Sequence, residues 1–228
     1  MKKTRKKVPH FSKRKFRLLL RMFCKGCTAL QIADFTNLNR NSVNLWVNRI
    51  RHRIKDLVEQ EKMRDAKHVQ MDETYFTKSK EYHPKLRLWD EEVVVFAVLE
   101  THGRVYARIV EKVNKRQLLP IVEGCCAVGA TTHTDGHTVY KALEKRGYKH
   151  ASVNHSNHEF SRYENGECIT TNGIEGFFGL MKSRLTVFRG VKWDNLDVHV
   201  AESVWRFNHR QENLYKLLLK EFRARPLS

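Results

Sequence analysis

At 228 residues with a hydrophobic fraction of 41%, the chain can build one medium domain, or a small one joined to a medium one, around a buried core. No apolar run approaches the ~18–20 residues of a bilayer span, and the charged start leads into Lys13-Arg14-Lys15-Phe16-Arg17 rather than an apolar leader, so neither a membrane partner nor secretion is expected. The net charge of +18 is concentrated: residues 1–60 hold sixteen Lys/Arg against Asp34, Asp56 and Glu59, a net +13, and the other 168 residues supply +5.

Such an arm attracts phosphate backbones through counterion release. Ribosome binding, RNA binding and simple solubility use the same charge, so charge alone does not separate them. The five cysteines are odd in number and two are adjacent, which argues against a disulfide framework. Cys24-x-x-Cys27 has no second Cys or His pair nearby and reads as two ordinary thiols rather than half a zinc site.

In chain order, residues 12–24 predict a first helix, with Phe16, Leu19, Leu20 and Phe23 at helical spacing. Thr28 is placed to cap a short second helix that runs to Asn37 and buries Leu30, Ile32 and Ala33. Asn37-Leu38-Asn39 predicts a turn, and a third helix follows from about Asn41 with Val43, Trp46, Val47, Ile50 and Ile54 inward. Its outer face offers Arg40, Asn44, Asn48, Arg49 and Arg51, and Lys13, Arg14 and Lys15 stand at the start of the first helix. Three short helices, a tight turn and a basic last helix fit a helix-turn-helix over residues 1–60, with a polar linker to about 66; a plain three-helix bundle is the bland alternative.

From His68 the periodicity changes. Strands are expected ending at Asp72, over Val93–Leu99 (a buried run), at Val105–Ile109, ending at Asp135, and at His150–Val153. Helices are expected near 116–124, over Val139–Arg146 up to Gly147, and from Asn172 onward. This is an α/β sheet domain over residues 67–228.

Two strand-end carboxylates, Asp72 and Asp135, can share a site only if something cancels their repulsion, and hard divalent cations do so. Each alone also reads as an ordinary turn former. Asn172 and Glu175 are spaced as a capping box, which would account for that glutamate; the same geometry sets Glu175 in a first turn with Lys182 seven residues on, along one face.

Met71-Asp72-Glu73-Thr74-Tyr75, His133-Thr134-Asp135-Gly136, Asn154-His155-Ser156, the run from Thr171 to Lys182, and Glu202 to Arg210 occur in order. Together they resemble the acid-triad (DDE-type) transposases of small bacterial insertion sequences, the ISXO-like group related to the eukaryotic Merlin elements. The resemblance covers roughly residues 67–210. It implies a ribonuclease-H-like fold, a mixed five-stranded sheet flanked by helices.

It further implies Asp72, Asp135 and Glu175 as ligands of two Mg2+ ions, with Mn2+ as a substitute, and Lys182 near the phosphates. Asn172 is an alternative third ligand, since some relatives carry Asn there. His133 and His155 are accessory candidates, and Arg206 and Arg210 are candidates for phosphate contact. Thr170 departs from the pattern, where a His is expected. The implied partners are duplex DNA, as terminal inverted repeats and target, and further copies of the chain, because two DNA ends must meet. A bacterial nucleoid is the implied location, or a nucleus for a Merlin-type element. The competing readings are a nuclease of the same fold, a domesticated DNA-binding regulator without catalysis, and an RNA-binding protein.

Overall fold

The computed structural model describes residues 12–77, 92–153, 161–164, 166–188, 191 and 193–227. The chain divides into two compact units, residues 1–57 with 209–228, and residues 58–208. The tail from His209 therefore clusters with the amino-terminal helices, whereas the sequence assigns it to the sheet domain. Among the described residues no helix is long and apolar enough to cross a membrane.

The first unit contains α1 (Lys13–Cys24), α2 (Ala29–Thr36), most of α3 (Arg40–Gln60) and α7 (Leu214–Ala224). Ser12 caps α1 by accepting from the Lys15 amide. Thr28 caps α2, and it does so in a full capping box: its hydroxyl accepts from the Gln31 amide while the Gln31 side chain accepts from the Thr28 amide. The turn to α3 is made by Asn37, which adopts the left-handed conformation at φ 52, and by the Asn39 side chain, which accepts from the Asn41 amide at 2.9 Å. Leu19, Leu20, Phe23, Ile32, Val43, Val47, Ile50 and Ile54 form the core. Leu30, expected inside, is 54% exposed, because two residues before Ile32 is about 200° of helix rotation and takes it off the buried Ile32–Ala33–Thr36 face. The stretch expected as a linker, residues 55–66, is helix through Gln60 and becomes strand at Ala66.

In the second unit, β1 (Ala66–Thr77), β2 (Glu92–Glu100), β3 (Val105–Val110), β4 (Cys126–Asp135) and β5 (Lys149–Val153) form one sheet in the order β3-β2-β1-β4-β5. β1–β2 and β2–β3 are antiparallel, while β4 runs parallel to β1 and to β5. This is the mixed five-stranded sheet of a ribonuclease-H-like fold, flanked by helices. Alternation along β1 divides its two faces. Val69 and Met71 join Phe96, Val98 and Tyr106 in the core that packs on α4 (Lys115–Cys125) through Leu118, Ile121 and Val122. Gln70, Asp72 and Thr74 face the other way, the side that receives α5 (Asn172–Thr186).

The sequence reading needs three corrections here. β1 does not end at Asp72: β-prone Thr74, Tyr75 and Phe76 continue the ladder against β2 as far as Thr77↔Glu92. The run before α5 forms an unanticipated hairpin, β6 (Ser161–Glu164) and β7 (Glu167–Thr170), for which the Asn165-Gly166 dipeptide was the available signal. The expected helix over Val139–Arg146 is present as two 3₁₀ turns, Thr138–Ala142 and Glu144–Arg146, ended by Gly147 in the left-handed region.

α6 (Leu196–Asn208) lies along the edge strand β3 and ends in a two-point clamp. The Asn208 side chain accepts from the Val105 amide at 2.8 Å and donates to the Val105 carbonyl at 3.0 Å. Asn208→Ala leaves both edge groups without that partner and is expected to cost roughly 1–3 kcal/mol, read as a lowered urea midpoint at unchanged m-value.

Candidate active site and nucleic-acid interface

The β1–β4 ladder matches His68↔Thr131, Val69↔Thr132 and Gln70↔His133. The same offset carried two residues further sets Asp72 beside Asp135, and neighbours in register point to one face. Asp135 ends β4, where its carboxylate accepts from the His137 amide at 3.1 Å. Glu175 reaches the same region from the first turn of α5.

Two contacts set the start of α5 against the sheet, and a third lies within the helix start. The Gln70 side chain accepts from the Ile174 amide at 3.0 Å. A Cβ on Gly173 would stand 2.7 Å from that same Gln70 oxygen and 2.9 Å from a Leu99 methyl, so the close approach requires glycine. The buried Thr171 hydroxyl donates to Glu175 Oε1 at 2.8 Å. The expected Asn172–Glu175 capping box is absent: Thr171, not Asn172, is the N-cap, it makes no side-chain cap bond, and Asn172 is already helical and exposed.

Burial pushes the Asp72 carboxyl up to about 7, against the Glu73 amide it accepts from, and the Glu73, Asp135 and Glu175 carboxylates add to the rise. Asp135 and Glu175 thus both add to the charge felt at Asp72. Three carboxylates with no soft donor suit a hard divalent cation, so the donor chemistry fits magnesium or manganese. Among the described residues no three acids, His or Cys stand close enough to enclose a single ion.

Sequence reasoning missed Tyr140. Its hydroxyl donates to Glu73 Oε2 at 2.5 Å, on the sheet face opposite Asp72, and the tyrosine is buried. Burial and the carboxylates of Glu73, Asp72 and Asp135 hold that hydroxyl in its protonated form. A polar ring at the inward spacing of a helical segment was the only signal. The Gln70 contact was equally hidden, although a glutamine inside an otherwise apolar strand marks a side chain that needs a partner.

Lys182 is exposed on α5, seven residues beyond Glu175. His133 is buried in β4 in register with Gln70. His155 and His158 lie outside the described residues. Arg206 does not project as expected: its Nε donates at 2.9 Å to fully buried Glu202, which Arg184 of α5 also engages, so the guanidinium belongs to an ionic contact between α5 and α6. Trp205 is buried core. Arg210 is exposed and follows α6 into the first unit.

In the first unit, Arg40 and Asn44 are exposed on α3 and Asn48, Arg49 and Arg51 are half-buried. Arg49 lies over the Trp46 ring at 6.0 Å and Arg51 over Phe23 at 5.9 Å, which splays both guanidinium groups along the helix rim. Lys13, Arg14 and Lys15 are exposed in the first turn of α1.

Residues 65–208 match the family model of the ISXO2-like transposase domain. An uncharacterized transposase-like protein of Haemophilus influenzae is 30% identical over 118 residues, 52% of this chain and 92% of that protein. Among solved structures, the mariner Mos1 paired end complex with Mg is 12% identical with a TM-score of 0.35 over 97% of this chain and 82% of that one. The Mos1 strand transfer complex is 12% identical with a TM-score of 0.25 over 64% of this chain and 60% of that one, so the chain spans less than two thirds of its length. Superpositions this loose leave the fold to be read from the sheet itself.

A folded-state carboxyl raised from 3.8 to about 7 binds its proton more tightly folded than unfolded, so the stability it lends is present at low pH and is lost as pH rises through about 7. Without metal, Asp72→Asn is expected to flatten that decline and to stabilise the protein at about pH 8 by roughly 1–2 kcal/mol, as read by thermal unfolding at several pH values.

Proposed function

The chain belongs to the ISXO2-like transposase family, and from that premise we propose that it binds the ends of a mobile DNA element and catalyses metal-dependent strand cleavage and strand transfer. The observation that supports this reading is the β1–β4 register, which carried on sets Asp72 beside Asp135, together with the docking of the Glu175 helix on Gln70 of the same face of β1. Asp72, Asp135 and Glu175 would hold two magnesium ions, with manganese a substitute. When bound, those ions supply Lewis acidity at phosphate oxygens and lower the pKa of water.

The chain's own groups do the positioning. Thr171 holds the Glu175 carboxylate through its hydroxyl, and Gln70 and Gly173 fix how closely α5 meets the sheet. Lys182 offers a cation to a phosphate on the same helix face. Water cuts the phosphodiester at the element end and leaves a 3′-hydroxyl. That hydroxyl then displaces a 3′-oxygen from a target phosphodiester, so one bond forms as one breaks and neither ATP nor a covalent protein intermediate is needed. The helix-turn-helix unit supplies duplex binding through Arg40, Asn44, Asn48, Arg49 and Arg51, and a dimer or larger assembly brings two ends together.

The test is magnesium-dependent joining of a labelled element-end duplex to plasmid DNA. Wild type is expected to join, and Asp135→Ala to lose joining by about three orders of magnitude while keeping duplex affinity, since each preorganised charge at such a centre is worth roughly 10²–10³ in rate. Cutting without joining would replace this reading with a nuclease, and binding with neither would replace it with a DNA-binding regulator.

A further inference from the structure

The compact units redraw the charge map. Residues 1–57 and 209–228 together hold twenty-one Lys/Arg against four Asp/Glu, +17 of the chain's +18. The carboxy-terminal helix α7 is a fourth member of the helix-turn-helix unit. Its Leu218 and Phe222 are buried, Phe222 meets Phe16 of α1 edge-on at 5.9 Å, and Arg21 of α1 lies over Tyr215 at 5.1 Å. Glu221 accepts from Arg53 of α3 at 2.8 Å.

With that apolar face turned inward, α7 shows Lys216, Lys220 and Arg223 outward, all exposed, at i, i+4 and i+7 along one face. The contacts of Phe16 with Phe222 and of Arg21 with Tyr215 set α7 antiparallel to α1. α1 itself carries five cations and no acid. Two basic helices side by side repel one another, and a packed pair of this kind is relieved by a polyanion. The α7 stripe spans about 10 Å of helix axis, a length over which one DNA strand presents about three phosphates.

We propose that α7 is a second backbone-contacting element of the DNA-binding unit, its Lys216, Lys220 and Arg223 lying on duplex phosphates. This rests on the reading of that unit as a duplex binder. The contacts are to phosphate, so they set affinity and register and carry no sequence preference.

The test uses the full chain and a fluorescein-labelled duplex of arbitrary sequence, titrated at several salt concentrations. The triple variant Lys216→Gln/Lys220→Gln/Arg223→Gln is expected to reduce the slope of log affinity against log salt by roughly 2.7, about 0.9 per phosphate contact. A charge-matched control on exposed cations of the second unit, Lys112→Gln/Lys115→Gln/Arg116→Gln, is expected to leave the slope unchanged. Equal slopes for wild type and the α7 variant, or equal losses in both variants, overturn the proposal and leave α7 a structural helix. Should the triple variant unfold, Lys220→Gln alone is expected to lower the slope by about 0.9, and an unchanged slope overturns the proposal as well. A wild type that does not bind the duplex overturns the duplex-binding reading itself, an outcome distinct from the loss of α7's share.

Discussion

Burial of the Asp72 carboxyl beside other carboxylates is the constraint on which the sheet unit's candidate site turns. Each acid is delivered by a different element, the middle of β1, the end of β4 and the first turn of α5, and burial makes ionisation of Asp72 costly. The fold bears that cost with contacts on both faces of the sheet. Gln70 and Gly173 dock α5 on one side, while on the other Tyr140 engages Glu73, the residue next to Asp72. The divalent cation proposed for this site would offset the cost of ionising Asp72 there.

The two units divide the labour by charge. The sheet unit is close to neutral, and the helical unit carries nearly all of the excess. Within the sheet unit, Arg184 and Arg206 engage buried Glu202, while Lys182 stands exposed on the Glu175 helix. The positive excess thus resides in one part of the chain and Asp72, Asp135 and Glu175 in the other.

Much of this was legible in the sequence because the local signals agreed with the fold. The run Val93–Leu99 is buried on both faces as β2, Asn37 takes the left-handed turn, and Asp135 closes its strand. What was not legible depends on distant partners. Nothing local distinguishes Asn172 as a cap from Asn172 as an ordinary helical residue; the docking of Gln70 on the Ile174 amide decides it. Arg206 looks like a solvent-facing cation until Glu202, one helical turn earlier, proves to be fully buried. The β1 extension beyond Asp72 follows from β2 being long enough to pair with it.

The division of the helical unit between residues 1–57 and 209–228 has a consequence during synthesis. Helices α1 to α3 leave the ribosome first, and the entire sheet unit must be translated before α7 can close onto Phe16 and Arg53. Domains ordinarily fold in the order they emerge. Here α1 to α3 are made well before α7, so a chain stalled or truncated before residue 209 carries the sheet unit complete and the helical unit without its fourth helix.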